Sequence, residues 1–231
     1  MGVKSITKNE LLNQLNKSKQ KISELEKTAA KCKENELLLR ELHHRVRNNM
    51  QIISSLLRIQ ARKIKDKKTI DMLKVCQDRI RSMALIHERF CRSDDLVKIE
   101  LAPFIQDLAV HLFRSHGADS RAIKLITEMT DVQLDIDRAI PFALIANELL
   151  TNSLKHAFAK KKYGEIQIDL HPIAQEKFEF VVSDNGVGIP EETDLRNVDS
   201  FGLKMVNELV DQMNGNIELV REKGTTFKIT C

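Results

Sequence analysis

Apolar residues recur at steps of three and four along the first sixty residues, which is the spacing of an α-helix. Between residues 6 and 60 the chain has no Gly and no Pro, so nothing interrupts one long helix. Polar breaks stand at Ser18 and Glu36, and the apolar members of the heptad pattern are Leu11, Leu15, Ile22, Leu25, Ala29, Cys32 and Leu39. A helix of this length would bury little against a small domain, so a coiled coil of two chains is favoured over a solitary surface helix.

A charged stretch at residues 61–69 interrupts this pattern and is interpreted as a solvated hairpin turn. It contains no aromatic residue, which disfavours a nucleic-acid patch. A second amphipathic helix follows, with Leu73, Cys76, Ile80, Met83, His87 and Phe90 at the same three-four spacing. Two helices joined by a short loop form a hairpin with a narrow core, so two hairpins are expected to associate as a four-helix bundle in a dimer.

After residues 93–95 the pattern changes to alternating strands and helices. We predict strands at 96–101, 123–128, 165–170, 177–182, 216–221 and 225–230, and helices at 104–116, 138–158 and 203–213. Strands with helices on one side form an α/β sandwich. The predicted fold class is therefore α+β, with a coiled coil at residues 1–36 running into a helical hairpin at 37–93, then the α/β sandwich at 94–231.

Composition narrows the function classes. Of 231 residues, 37 are Lys or Arg and 33 are Asp or Glu, and this net charge of +4 is too small for a dedicated nucleic-acid binder. Aromatic residues make up 4% with no Trp, which disfavours a base-stacking surface. The four cysteines form no CxxC pair, so a reducing compartment is expected rather than a zinc site or a disulfide framework. With no long apolar run and no signal peptide, we expect a cytoplasmic chain with no membrane segment.

Polar residues with chemical potential stand at the ends of the predicted elements. Glu148, Asn152 and His156 follow one another at steps of four on one helix, with Lys155 beside them. The run Asp184-Asn-Gly-Val-Gly188 comes directly after a strand, Ser200 to Lys204 opens a helix, and Gly224 to Phe227 begins the last strand. Each motif alone is usually surface decoration or a turn, but their order and spacing together favour a ligand site with a helix start that suits an anion.

These motifs resemble the ATP-binding fold shared by histidine kinases and gyrase-type ATPases. Residues 148–157 resemble its N box, residues 184–188 its G1 box and residues 201–203 its G2 box. The resemblance implies that Asn152 holds Mg²⁺, that Asp184 bonds the adenine amino group of ATP, and that Glu148 acts as the general base. It further implies phosphate contacts from Lys155 and His156, a pocket and lid shaped by Gly186, Gly188, Gly202 and Leu203, and Thr226 beside the adenine.

Two departures from that family's pattern concern the lid. Ser200 stands where many members have an additional Gly, and residues 190–200 contain no Phe-rich F box. We therefore expect a small lid.

The first part of the chain resembles the phosphoacceptor domain of histidine kinases of the HisKA_2 type. Residues 42–51, which read Leu-His-His-Arg-Val-Arg-Asn-Asn-Met-Gln, resemble its acceptor motif, and residues 79–88 resemble its second helix. Helical steps from His43 reach an apolar stripe, whereas steps from His44 reach a polar one. A phosphoacceptor must be exposed, so His44 is the predicted acceptor and His43 a bundle-core residue.

Three further histidines, His111, His116 and His171, are not predicted to belong to any side-chain cluster, and His87 is predicted to pack in a core. The resemblance implies an ATP-dependent protein-histidine kinase of a two-component system: a homodimer that phosphorylates His44 and passes the phosphoryl group to an aspartate on a response-regulator receiver domain. A missing or separate sensor module would supply the signal.

Two alternatives stay open, namely an ATP hydrolase or clamp that uses water as the nucleophile and a non-catalytic scaffold. The sequence does not identify the stimulus, the response regulator or any phosphatase activity. It also leaves open whether His44 is phosphorylated by its own chain or by its neighbour.

Overall fold

A computed structural model describes residues 8–92, 98–119, 121–158, 163–174, 177–190, 192–193, 195 and 200–231. The chain divides into two units, 1–43 and 44–231. In the first unit, the described residues 8–43 are helical and almost all exposed, including Leu15, Ile22 and Leu25 of the predicted heptad seam. The coiled coil stays a prediction, and the side chain of Leu11 lies outside the described residues.

The predicted helical hairpin is confirmed. Helix α1 (Lys8–Ala61) and helix α2 (Lys67–Arg92) are joined by a five-residue turn, residues 62–66. Asp66 ends the turn, and its carboxylate accepts hydrogen bonds from the backbone N–H of Thr69 at 2.8 Å and from its hydroxyl at 2.6 Å. This is the capping arrangement that satisfies the free N–H groups at a helix start. It explains why α2 begins before the first apolar residue of its stripe.

The second unit continues as a mixed α+β arrangement, as predicted. The strands are β1 (Ile99–Glu100), β2 (Ile123–Met129), β3 (Gln133–Leu134), β4 (Gly164–Ala174), β5 (Lys177–Asp184), β6 (Asn216–Val220) and β7 (Thr225–Thr230). The helices are α3 (Leu101–Ser115), α4 (Ile136–Asn152) and α5 (Phe201–Gln212), and a π-helical turn (Ser153–Ala157) follows α4 directly. The main sheet has the order β2-β4-β5-β7-β6, with β2 parallel to β4 and the other pairs antiparallel.

One face of the sheet is buried against helices. In β5, Phe178, Phe180 and Val182 are at most 1% exposed, as the alternation in the sequence predicts. Phe142 of α4 packs edge-on against Phe178 and Phe180, with ring centroids 5.7 and 4.9 Å apart. The second half of α2 joins the same core through Leu85 and Ile86. Buried helix faces therefore fix α2 and α4 on one side of the sheet.

Three element predictions differ from the structure. Helix α3 begins at Leu101 rather than near residue 104, because Pro103 lies in the first turn, where its missing N–H costs nothing. The predicted strand at 96–101 is reduced to β1 within the described residues, since residues 96 and 97 lie outside them, and it pairs with the short strand β3, which the sequence pattern did not reveal. The predicted helix 138–158 is an α-helix only to Asn152. In the described part of the chain, no helix is long and apolar enough to cross a membrane.

The prediction that His111 and His116 belong to no cluster is wrong. Both lie against Asp78 of α2, which is 4% exposed: His111 Nε2 is 3.6 Å from Oδ1 and His116 Nε2 is 3.8 Å from Oδ2. The hydroxyl of Ser115 donates to Oδ1 at 3.0 Å. These contacts join α2 to α3, and the spacing along either helix alone gives no sign of them. His87 is buried, as expected.

The pKa values in this cluster are shifted. Burial raises the pKa of Asp78, but the hydrogen bonds from His111 and Ser115 and the nearby histidines lower it, and the net pKa lies below its ordinary value. Burial lowers the pKa of His116, and its contacts with the Leu112 carbonyl and Asp78 offset this only in part. The charges of Lys74 and Lys155 lower it further. His116 Nδ1 donates to that carbonyl at 3.0 Å.

His116 should therefore make stability depend on pH. Because its pKa is lowered in the fold, the unfolded chain binds the proton first as pH falls below about 6.5, and the free energy of unfolding should decrease. The slope from one proton is at most about 1.4 kcal/mol per pH unit. His116→Asn keeps a donor for Leu112 and should flatten the profile measured by urea unfolding between pH 7.5 and 5. His171→Asn is the matched control on β4, and an equal flattening in both variants would contradict the prediction.

Candidate functional site

A cavity of about 610 Å³ opens where four elements meet: the end of α4 with its π-helical turn, the loop after β5, the start of α5 and the start of β7. Its lining residues are Asn152, Ser153, His156, Ala157, Asp184, Gly188, Ile189, Pro190, Glu192, Thr193, Ser200, Leu203, Thr225 and Phe227. Of the sequence-predicted site residues, it brings together Asn152, His156, Asp184, Gly188 and Leu203.

Asp184 is the buried carboxylate of this cavity. It is the last residue of β5 and is 5% exposed. Its Oδ2 accepts a hydrogen bond from the Ser153 hydroxyl at 3.0 Å, and its Oδ1 accepts one from the backbone N–H of Gly186 at 3.0 Å. A carboxylate can accept several hydrogen bonds, so its place in the cavity wall suits a donor group on a ligand.

Glycines allow the cavity wall to fold tightly. Gly188 and Gly224 have φ of 77° and 123°, values that residues with a side chain rarely adopt. A Cβ on Gly224 would lie 2.0 Å from the Asp184 carbonyl oxygen. Gly186 does not line the cavity; it packs against Ala157, where a Cβ would lie 2.4 Å from the Ala157 Cβ. The glycines thus hold the loop after β5 between β7 and the π-helical turn.

The end of α4 and the π-helical turn together form one wall of the cavity. Asn152 and His156 line it together with Ser153 and Ala157. Lys155 does not line the cavity but a separate depression beside the start of α2. The expectation of one face offering all four polar side chains is therefore wrong.

Glu148, four residues before Asn152, is also not among the residues that line the cavity. It is 3% exposed, and its Oε1 accepts a hydrogen bond from Arg79 Nε of α2 at 2.6 Å. The Nδ2 of the neighbouring Asn147 lies 3.4 Å from the same oxygen. The candidate base is therefore paired with Arg79, which the sequence motifs place only in the second helix of the hairpin.

The start of α5 forms another wall. Ser200, which stands where a glycine was expected, is the N-cap, and its hydroxyl accepts a hydrogen bond from Leu203 N–H at 3.4 Å. The N-terminal end of a helix favours anions, since its N–H groups are unpaired and its dipole is positive there. Gly202 is not a cavity residue; a Cβ on it would lie 2.5 Å from Glu148 Oε2.

On β7 the residue facing the cavity is Thr225 rather than the predicted Thr226. The Thr226 hydroxyl instead donates to Ser183 at 3.1 Å on the neighbouring strand. The one-residue difference follows from strand alternation, since Phe227 faces inward and residues two apart share a face. That alternation was a signal from which Thr225 could have been found. Ser153 was also missed, because its role depends on the π-helical turn.

His44 lies on α1 and is exposed, whereas the adjacent His43 is half-buried. Burial lowers the pKa of His43 below its ordinary value. The two histidines thus differ in exposure in the direction that the helical steps predict. His44 is not among the residues that line the cavity.

Two titratable side chains at or near the cavity, His156 and Lys155, have shifted pKa values. Partial burial, and then the charge of Lys155, lower the pKa of His156 below its ordinary value. Burial also lowers the pKa of Lys155. Among the described residues, no group of three or more His, Cys, Asp or Glu side chains could hold a metal ion. An ion at Asn152 would need further oxygen ligands from a bound molecule or water, which suits Mg²⁺.

Two family models match this chain. Residues 41–116 match the HisKA_2 model, described as histidine kinase, and residues 137–231 match the model described as histidine kinase-, DNA gyrase B- and HSP90-like ATPase. The second match contains the whole cavity, and the first contains His44 and the hairpin from residue 41 onward. The chain belongs to the histidine kinase family and contains its catalytic core.

Individual relatives agree with this assignment. The sensor histidine kinase PdtaS of Mycobacterium tuberculosis is 32% identical over 81% of this chain and 38% of the relative. The solved histidine kinase domain of a blue-light-activated kinase from Erythrobacter litoralis superposes with a TM-score of 0.64 at 23% identity, over 85% of this chain and 93% of that one. A longer structure of that kinase gives a TM-score of 0.65 at 26% identity, over 83% and 57%. The chain thus spans about two-fifths of the length of the PdtaS relative.

Gly224→Ala should damage the cavity wall. Its Cβ would meet backbone atoms of Asp184 and Asn185, which cannot move away cheaply, and its φ is unfavourable. We expect the free energy of unfolding, measured with urea, to fall by about 1–3 kcal/mol. Gly117→Ala is the matched control, because Gly117 also has positive φ but nothing within 4 Å of its Cβ position. Equal losses in the two variants would show that the close approach at Gly224 does not matter.

Proposed function

We propose that this chain is the core of an ATP-dependent protein-histidine kinase of a two-component system, with His44 as the phosphoacceptor. The observation that carries the proposal is the presence in one chain of a cavity built around Asp184 and an exposed histidine on a helical hairpin. The family matches over both parts support it. Within this proposal, residues 37–93 are the dimerisation and phosphotransfer hairpin and residues 94–231 the catalytic domain, after a coiled-coil signalling helix at 1–36.

The cavity chemistry suits ATP as the phosphoryl donor. The Asp184 carboxylate at the cavity wall would accept a hydrogen bond from the adenine amino group in a buried setting, where a hydrogen bond to a charged group contributes about 1.5–3 kcal/mol. Gly188 and Leu203 would flank the nucleotide, and Thr225 rather than Thr226 would lie beside the adenine. The start of α5 and His156 would face the phosphates, whereas Lys155 needs a local movement to do so.

The transfer step forms a bond between phosphorus and a ring nitrogen of His44 and breaks the bond to the bridging oxygen of ADP. The attacking nitrogen supplies its lone pair, and the proton on the other ring nitrogen passes to a base, for which Glu148 is the candidate. Mg²⁺ held by the Asn152 amide oxygen and the phosphates would neutralise charge on the leaving diphosphate. Alignment and charge neutralisation supply most of the catalysis in such transfers.

The proposed partners follow from the hairpin. On α1, Ile52, Ile53, Leu56 and Ile59 are each about half exposed, which supports a second hairpin covering them in a four-helix bundle. A receiver domain of a response regulator would dock near His44 and take the phosphoryl group onto an aspartate. A sensor module, on this protein or on a partner, would supply the signal in the cytoplasm.

Asp184→Asn should weaken ATP binding. The amide removes the charged acceptor for the adenine amino group, so we expect Kd for ATP to rise about 10- to 100-fold, measured by calorimetry. Ser153→Ala measures the structural part of the effect, because it deletes the hydrogen bond at Oδ2 that supports the cavity but keeps the carboxylate, and it should raise Kd less. If Ser153→Ala weakened binding as much as Asp184→Asn did, the role of Asp184 would be structural rather than direct.

His44→Gln should abolish phosphorylation of the protein. With γ-labelled ATP, the wild type should acquire label that is stable in base and labile in acid, and His44→Gln should lose at least about 100-fold of it, since the nucleophile is gone. His43→Gln is the matched control and should keep most of the label. Free phosphate without labelled protein would instead favour the ATP hydrolase, and equal labelling of His44→Gln and wild type would refute the assignment of His44.

A further inference from the structure

The contact between α2 and α4 is centred on a buried ion pair. Arg79 Nε donates to Glu148 Oε1 at 2.6 Å, with side chains 16% and 4% exposed. One turn along, the Ser82 hydroxyl donates to the Asn147 amide oxygen at 2.9 Å, and both residues are fully buried. The candidate base is therefore held on the second helix of the hairpin by matched polar groups.

The start of α5 closes over this ion pair. The guanidinium carbon of Arg79 lies 5.1 Å from the centroid of the Phe201 ring, a cation–π distance. Gly202 approaches Glu148 Oε2 so closely that no side chain would fit between them. Phe201 and Gly202 stand between Ser200 and Leu203, both of which line the cavity. One helical turn thus contacts the ion pair on one side and the nucleotide cavity on the other.

This arrangement holds Glu148 far from the phosphoacceptor. Arg47 of α1 lies opposite Glu88 of α2, with a nitrogen–oxygen distance of 4.0 Å. His44 lies three residues before Arg47, and Arg79 nine residues before Glu88. Because the hairpin is antiparallel, the two sites are separated by about 18 Å along its axis, at about 1.5 Å per residue. A base bound at Arg79 cannot reach a proton on His44.

We propose that Arg79 is a latch that holds the catalytic domain on α2 in a resting position, and that nucleotide in the cavity releases it by moving the turn of Phe201 and Gly202. This inference rests on the proposed function, because Glu148 matters only if it serves His44. In the latched position both Glu148 and the phosphate-binding turn are held away from His44. Release frees the carboxylate and, once the apolar contacts of Leu85 and Ile86 also separate, allows the domain to move along the hairpin.

A disulfide pair tests whether the latch exists and responds to nucleotide. Ser82→Cys with Asn147→Cys replaces two side chains already in contact and should form a disulfide under mild oxidation in the full chain. Each single variant under the same oxidation controls for the native cysteines. A non-hydrolysable ATP analogue should slow the cross-link at least 3-fold, and His44→Gln in the background should leave this unchanged. A rate indifferent to the analogue, or no cross-link in the folded double variant, would overturn the proposal.

The same variant tests the consequence for catalysis. The oxidised form should bind ATP but label His44 at least 10-fold more slowly, and reductant should restore the rate. Normal labelling with the disulfide closed would overturn the latch. If the wild type itself is never labelled, the proposed function fails, whereas the nucleotide effect on the cross-link still decides whether the latch exists.

Charge variants provide an independent measurement. Arg79→Gln should raise the initial labelling rate at least 3-fold at saturating ATP, because it removes the partner that holds Glu148. Arg79→Lys keeps the positive charge but lacks the planar guanidinium, so its labelling rate should lie between those of Arg79→Gln and wild type. Arg81→Gln, two residues along the same helix, should change the rate less than 2-fold. A fall in labelling for Arg79→Gln, with ATP affinity intact, would mean that Arg79 supports the reaction rather than restraining it.

Discussion

The cavity depends on the hydrogen bond between Ser153 and Asp184. It ties the π-helical turn to the end of β5, so the last residues of α4 and the glycine loop form opposite walls of one site. Because Asp184 is buried, the bond forms where water competes little, and losing it would leave polar groups unsatisfied at appreciable cost. Close packing of Gly186 on Ala157 and of Gly224 on Asp184 then leaves the loop little freedom.

Helix α4 serves two surfaces. Asn147 and Glu148 contact α2, whereas Asn152, the last residue of α4, and His156 in the π-helical turn line the cavity. The candidate base is thus held apart from the residues that would surround the phosphates, which is consistent with a base that engages only after a movement.

The amphipathic patterns predicted most of the fold. Strand β7 was found with its bounds, and β5 with its buried face, since alternation over six residues is a strong signal. Strand β3 was missed because two residues are too few to show a period, and the π-helical turn because its sequence is that of an α-helix. In the site, the family motifs identified Asp184 and Asn152, but they could not show that Lys155 and Glu148 face elsewhere. Side-chain direction there depends on packing against α2, which is distant in sequence.

Helix α2 meets the rest of its unit through apolar and polar contacts of different kinds. Leu85 and Ile86 join the core, whereas Arg79, Ser82 and Asp78 make buried polar contacts to α3 and α4. A buried ion pair adds little net stability, because desolvation of both charges offsets their attraction, but it strongly disfavours misaligned arrangements in which one charge is left unpaired. Such a contact is specific without being strong, and an interface of that kind can be held and released at moderate cost. An apolar surface of the same size would bind the two elements more permanently, so the polar composition around Arg79 suits the proposed latch.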